Sequence, residues 1–351
     1  MSTPAAPWVT RQLHELLAQP GHALLLHGPS GLGQFELAWQ LARAWLCEAP
    51  TPEGACGACP ACHGMEVHTH PDFFLLMPEE ELLAREWPLP EKAQAELDAK
   101  KRKPSRDIRI DDMRAAIDFA QRTRARTRGK VVLIYPAERM NHAAAGALLK
   151  TLEEPPGEVR FILASCAAHL LLPTIRSRCM ARALHWPAEE EALAWLAECG
   201  LPQKEAAALL RAAGGRPEQA LAFAATSDDA PKGKSAAASL QQRAAAHAAQ
   251  WAALPAALEQ GETAALAATP LPETVARLQK LCHDLMCVQV GAAPRFFDAA
   301  DLPRRPLSMS ALARWQQQLA RLARHAAHPF NAPLAAEFLT RAARQALHSQ
   351  S

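Results

Sequence analysis

The chain has 351 residues, more than one typical domain needs, and is 49% hydrophobic and 21% charged, so it can bury a core and is not a disordered chain. Lys plus Arg is 38 against 36 for Asp plus Glu; the resulting +2 excludes a histone-like polycation and leaves any nucleic-acid contact to local patches. Nine cysteines are too few for a disulfide scaffold, and four of them crowd into residues 47–62.

The first residues lack a basic stretch followed by an apolar one, and no run approaches the roughly 18 apolar residues of a membrane span. Cys166, Cys179, Cys199, Cys282 and Cys287 show no disulfide-like spacing. A reduced, cytoplasmic protein without a membrane segment is expected.

Residues 8–19 place Trp8, Val9, Leu13, Leu16 and Leu17 near helical period, and Pro20-Gly21 ends that helix. Ala23-Leu24-Leu25-Leu26 is a short apolar run and reads as a buried strand. A glycine-rich stretch follows, then a helix with Phe35, Leu37, Ala38, Leu41, Ala42, Trp45 and Leu46 on its apolar side. Residues 72–77 form a second strand. Residues 78–107 are charge-rich and read as a solvated, partly helical insertion. Asp111 is a candidate N-cap for a helix through Gln121. Residues 130–135 are a third strand, 141–152 a helix stopped at Glu154-Pro155-Pro156, and 159–165 a fourth strand. A further helix is expected around Ala168 to Leu172. Strands alternating with helices predict an α/β fold with a parallel sheet covered on both faces. After Trp186-Pro187 the chain turns alanine-rich and helical, interrupted by a polar linker at 226–235.

The motif G-x-x-x-x-G-K-[ST] cradles phosphates with backbone amides, a lysine and a magnesium-binding hydroxyl. Here Gly28 to Phe35 reads G-P-S-G-L-G-Q-F, with Gly28, Gly31 and Gly33 present. Gln34 stands at the lysine position and Phe35 at the hydroxyl position. Neither can grip a magnesium nucleotide. The competing reading is a plain glycine turn, but its place directly after a buried strand favours a degenerate phosphate loop. The strand that should deliver a magnesium-binding acid ends instead in Tyr135-Pro136. No ATP is expected to bind.

Cys47, Cys56, Cys59 and Cys62 give C-x8-C-x2-C-x2-C, a spacing suited to tetrahedral zinc in a closed, structural site. A redox C-x-x-C pair is the alternative. His63, His68 and His70 read as surface or packing residues because four thiolates fill the shell. Arg178, in Thr174-Ile175-Arg176-Ser177-Arg178-Cys179, reads either as a surface arginine in a salt bridge or as a group that reaches a neighbour's nucleotide.

Leu148-Leu149-Lys150-Thr151-Leu152-Glu153-Glu154-Pro155-Pro156, Ser177-Arg178-Cys179, the four cysteines and His70-Pro71-Asp72 together resemble the clamp-loader subunits of bacterial DNA polymerase III, of the AAA+ class. The likeness covers residues 8–225 best. Active members keep the loop lysine, the acidic pair and a sensor arginine. The last position falls on Glu218 here, with Arg216 close by. The three departures resemble the inactive, delta-prime type. The resemblance implies an AAA+ domain over 1–187 carrying the zinc module at 47–62 and the insertion at 78–107. It also implies a small helical lid over 188–225 and a helical C-terminal collar over 236–351. It further implies structural Zn2+ on the four cysteines and Arg178 acting in trans. The implied partners are gamma/tau ATPase subunits, a delta subunit, the sliding clamp and primed DNA. Two other readings stay open: an ATPase with an unusual loop, or a stand-alone zinc-containing nucleic-acid-binding protein. Arg122, Arg124, Arg126, Arg128 and Lys130 form a basic patch that is either a solvated helix end or a DNA-backbone contact.

Overall fold

In the computed structural model the four apolar runs become strands β1 (Ala23–His27), β2 (Phe73–Leu76), β3 (Lys130–Ile134) and β4 (Val159–Ser165). A fifth strand, β5 (Met180–Ala183), completes one parallel sheet in the order β2-β3-β4-β1-β5. β3 is buried throughout, which is why its sequence is apolar without alternation. The structure describes residues 4–19, 21–225, 236–267, 269–326 and 330–349; Pro20 and the expected linker 226–235 lie outside them.

The helices that join the strands are α1 (Pro7–Leu17), α2 (Gln34–Leu46), α3 (Pro60–Glu66), α4 (Glu79–Ala84), α5 (Glu91–Asp98), α6 (Ile110–Gln121), α7 (His142–Glu153) and α8 (Pro173–Arg176). Met113 and Ala116 of α6 and Ala144 and Leu148 of α7 pack with Val132, Ile134, Phe161 and Leu163 of the sheet. The side chain of Asn141 caps α7 by accepting the Ala144 amide at 2.8 Å. This is a five-stranded parallel sheet packed against helices, as the alternation of strands and helices predicts.

Three local expectations need correction. The N-cap of α6 is Arg109, not Asp111; Asp112, three residues on, accepts the Arg109 amide at 3.0 Å and fixes the helix start there. Residues 168–172 form one 3-10 turn, Ala168–Leu170, because Pro173 restarts the helix as α8. β5 is missing from the sequence reading because only one edge of it pairs and Ala181 to Ala183 are exposed, so it has no apolar run.

The chain divides into two compact units at Pro187. The first is the α/β unit from Ala5. The second, from Ala188 on, is all helical: α9 (Glu189–Glu198), α10 (Gln203–Ala212), α11 (Pro217–Ala225), α12 (Ala236–Gln260), α13 (Ala264–Ala267), α14 (Leu271–Gln289), α15 (Met309–Ala323) and α16 (Ala332–Leu347). Its core centres on Trp251, Leu278, Leu285, Trp315 and Leu339. Lys280 donates to the Ala212 carbonyl at 2.6 Å and Arg295 to the Gly214 carbonyl at 3.2 Å. These cations satisfy carbonyls left without a helical partner at the end of α10. Among the described residues no helix is long and apolar enough to cross a membrane.

Candidate functional site

The glycine loop runs from β1 into α2. Gly31 and Gly33 take φ of +84° and +86°, a left-handed backbone that glycine reaches without strain. Gln34 is buried, and its amide donates to the carbonyls of Gly28 at 2.9 Å and Pro29 at 2.6 Å. A lysine there would point its charge at a phosphate; the glutamine turns inward and ties the loop to itself.

Phe35 is buried as well. Its ring lies 5.4 Å from Tyr135, at the end of β3, and meets Trp87 edge-on at 6.3 Å. Burial pushes the Tyr135 phenol up, so it stays neutral at physiological pH and gives magnesium no anionic ligand. The guanidinium of Arg85 sits 4.3 Å from the Phe35 ring centre and 5.2 Å from that of Tyr135, and it pairs with Glu36 at 3.2 Å. The two positions that would hold magnesium therefore hold aromatic rings and a cation. Arg85 and Trp87 belong to the charge-rich insertion, where nothing in their spacing marks them.

Trp87 fixes the insertion in place. It stacks on His68 at 3.6 Å and meets Trp39 of α2 edge-on at 5.0 Å. His68 is thus a packing histidine. His70 is buried; its Nδ1 accepts the Asp72 amide at 3.1 Å. The Asp72 carboxylate is buried too, and accepts the amides of Ala125 and Arg126, each at 2.7 Å. His70-Pro71-Asp72 therefore anchors the loop that leads into β3.

Cys47, at the C-terminal end of α2, and Cys62, in α3, are buried; Cys56 and Cys59 come from the turns between them. All four sulfurs lie within 4.8 Å of one another. Three of the separations are 3.6, 3.8 and 4.0 Å. A tetrahedron of thiolates about 2.3 Å from a zinc ion has edges of about 3.8 Å. The cluster thus has the size and donor set of a closed four-thiolate metal site. Amides at Cys56 and Cys62 donate to the sulfurs of Cys47 and Cys59 at 3.3 and 3.4 Å. His63 is exposed and outside the cluster.

Arg178 follows α8 and is half-buried. Its Nε donates to Glu153 Oε1 at 2.6 Å, a second nitrogen meets the same oxygen, and Nη1 donates to the Thr174 carbonyl at 2.9 Å. The two sequence motifs, L-L-K-T-L-E-E-P-P and S-R-C, thus meet in one ion pair. The salt-bridge reading describes the isolated chain.

A family model described as "DNA polymerase III, delta subunit" matches residues 8–187. The chain belongs to that family. It is 41% identical over 203 residues, 57% of the chain, to DNA polymerase III subunit delta' of Pseudomonas aeruginosa. It is 34% identical over 223 residues, 62% of the chain, to the protein of the same name in Escherichia coli. The matched segments span 55% and 60% of those relatives' own lengths. A tau subunit of DNA polymerase III from Salmonella typhimurium is 33% identical over 159 residues, 45% of the chain and 21% of that protein.

The sensor-arginine position and the basic patch remain to be placed. Arg216 immediately precedes α11 and Glu218 lies in its first turn; Arg216 donates to Gln219 at 3.3 Å. The basic patch is largely consumed by internal pairing. Lys130 is buried and donates to the carbonyls of Phe119 and Arg122, closing the C-terminal end of α6. Arg124 pairs with Glu158 and Arg126 with Glu48 at 2.5 Å. Lys130 is therefore not part of an exposed patch.

Proposed function

We propose that this chain is a non-hydrolysing subunit of a DNA polymerase III clamp loader. In this role it braces a ring of gamma/tau-type ATPase subunits beside a delta subunit and helps load the sliding clamp onto primed DNA. Relatives named as delta' and tau subunits of DNA polymerase III support membership of such an assembly. The inactive role rests on one observation: Gln34 is turned onto its own loop, and Phe35, Tyr135 and Arg85 fill the magnesium position. Residues 188–225 act as the lid and 236–351 as the collar that joins the ring.

Arg178 is the group this subunit offers to a neighbour. In the assembled ring it leaves or shares Glu153 and offsets charge on the γ-phosphate of an adjacent ATPase subunit. The exchange is accessible because a half-exposed ion pair contributes only about 0–1 kcal/mol. The four cysteines hold a structural Zn2+ that ties the end of α2 to α3 and takes no part in nucleotide chemistry. Internal pairing of Lys130, Arg124 and Arg126 speaks against a stand-alone nucleic-acid-binding role.

The test is reconstitution with gamma/tau-type and delta subunits. ATP turnover and clamp loading are measured with and without this chain, and with Arg178→Ala. Assembly that depends on the chain, with turnover lowered by Arg178→Ala, is expected. A chain that neither joins the complex nor changes its turnover would sink the proposal.

A further inference from the structure

The insertion at 78–107 has an internal frame. Glu79, the first residue of α4, is held below the ordinary carboxylate range by hydrogen bonding to Arg102. It also accepts the Ser105 amide at 2.8 Å and pairs with Arg109 at 3.2 Å. Arg102 in turn reaches Glu96 of α5 at 2.7 Å. One carboxylate thus closes both ends of the segment into a loop. Just after α4 this loop carries Arg85 and Trp87, which pack on the rest of the α/β unit.

Trp87 seats the loop on Trp39 of α2 and on His68. Arg85 goes where a working phosphate loop keeps its cation. In such a loop a hydroxyl after the lysine and an acid after the third strand hold magnesium. Both equivalents here are aromatic, and both lie within cation–π distance, about 6 Å, of the same guanidinium. Glu36, the residue after Phe35, supplies the anionic partner at 3.2 Å, and Glu81 lies 3.7 Å from the same group.

We propose that Arg85 is a tethered substitute for the magnesium ion of an active relative, with Phe35 and Tyr135 as its aromatic ligands and the 79–109 loop as the arm that delivers it. The three residues are then a matched set. A phosphate loop that never binds nucleotide lacks the ligand that would order it; the arm supplies that order from within the chain. The inference rests on the reading that the cradle takes no magnesium nucleotide, and goes further by giving the insertion a task.

Amide hydrogen exchange of residues 28–36 in the full chain reads that task directly. Arg85→Met keeps the bulk and removes the charge, and is expected to speed exchange there about 3- to 10-fold, the scale of one cation–π contact that opens locally. Arg85→Lys is expected to restore part of the protection. Phe35→Leu in the Arg85→Met background is expected to add less than it does in the parent, because the two changes remove the same contact. Unchanged exchange in Arg85→Met, or fully additive effects in the double variant, would overturn the proposal. Titration of the same proteins with Mg-ATP separates it from the reading below it. Binding by the parent chain would sink the non-nucleotide reading, while the exchange coupling, if present, would still support the arm.

Discussion

Arg178 and Glu153 form an ion pair that joins the end of α7 to the turn that follows α8, with Nε to Oε1 at 2.6 Å. Neither residue is buried, so the pair adds little to stability and the geometry holds the guanidinium at a defined edge of the α/β unit. Arg178→Ala should therefore leave the thermal midpoint of the chain nearly unchanged. In the reconstituted loader it should lower turnover at the site it serves by about 10-fold or more. Glu153→Gln should cause a smaller loss, since it frees the arginine without removing it. Parallel melting curves and steady-state ATPase assays check both; equal turnover in fully assembled complexes would falsify the role in trans.

The metal prediction concerns order, not catalysis. Reduced protein purified without chelator should contain about one zinc per chain. Removing it should raise amide exchange across residues 47–66, because four bonds to the ion would tie the end of α2 to α3. The glycine loop at 28–35 should be unaffected. Elemental analysis and exchange mass spectrometry test this, and zinc-free native protein would contradict it.

Asp72 gives a sharp stability prediction. Its buried carboxylate accepts two amides at 2.7 Å, and Asp72→Ala removes both of these hydrogen bonds to a charged acceptor. A loss of about 2–3 kcal/mol is expected in urea unfolding. A loss under about 0.5 kcal/mol would mean that the loop at 122–129 is held by something else.

His247 sets an acid limb for the helical unit. It is buried and stacked on Phe223 at 4.8 Å, with Arg277, Glu273 and Lys280 as its charged surroundings; burial pushes its pKa down to about 4. The unfolded chain binds the proton near pH 6.5, so between pH 6.5 and 4 it holds more protons than the folded state. Stability from this group is complete above pH 6.5 and falls as the pH drops toward 4, by about 2 kcal/mol at pH 5. His247→Phe should flatten that limb in denaturant unfolding at pH 5 and 7. An unchanged slope would show that the histidine charges freely in the folded state.

Much of this was legible because it is written in local pattern. The apolar runs of β1, β3 and β4 are buried on both faces and carry no alternation to confuse. The cysteine spacing and the substitutions at Gln34, Phe35 and Tyr135 can be read one residue at a time. The illegible parts depend on distant partners. Arg85 sits over the rings of Phe35 and Tyr135, 50 residues away in each direction, and a charge-rich insertion gives no sign of it. Lys130 belongs to a basic run in sequence yet is buried on the carbonyls of α6. β5 has no apolar run because it lies at the sheet edge.

The central claim is that the cradle is filled and does not take a nucleotide. Isothermal titration of the isolated, zinc-replete chain with ATP and Mg2+ tests it most directly. No saturable binding up to about 1 mM, an interaction weaker than about 4 kcal/mol, is expected. Tight, magnesium-dependent binding would contradict it.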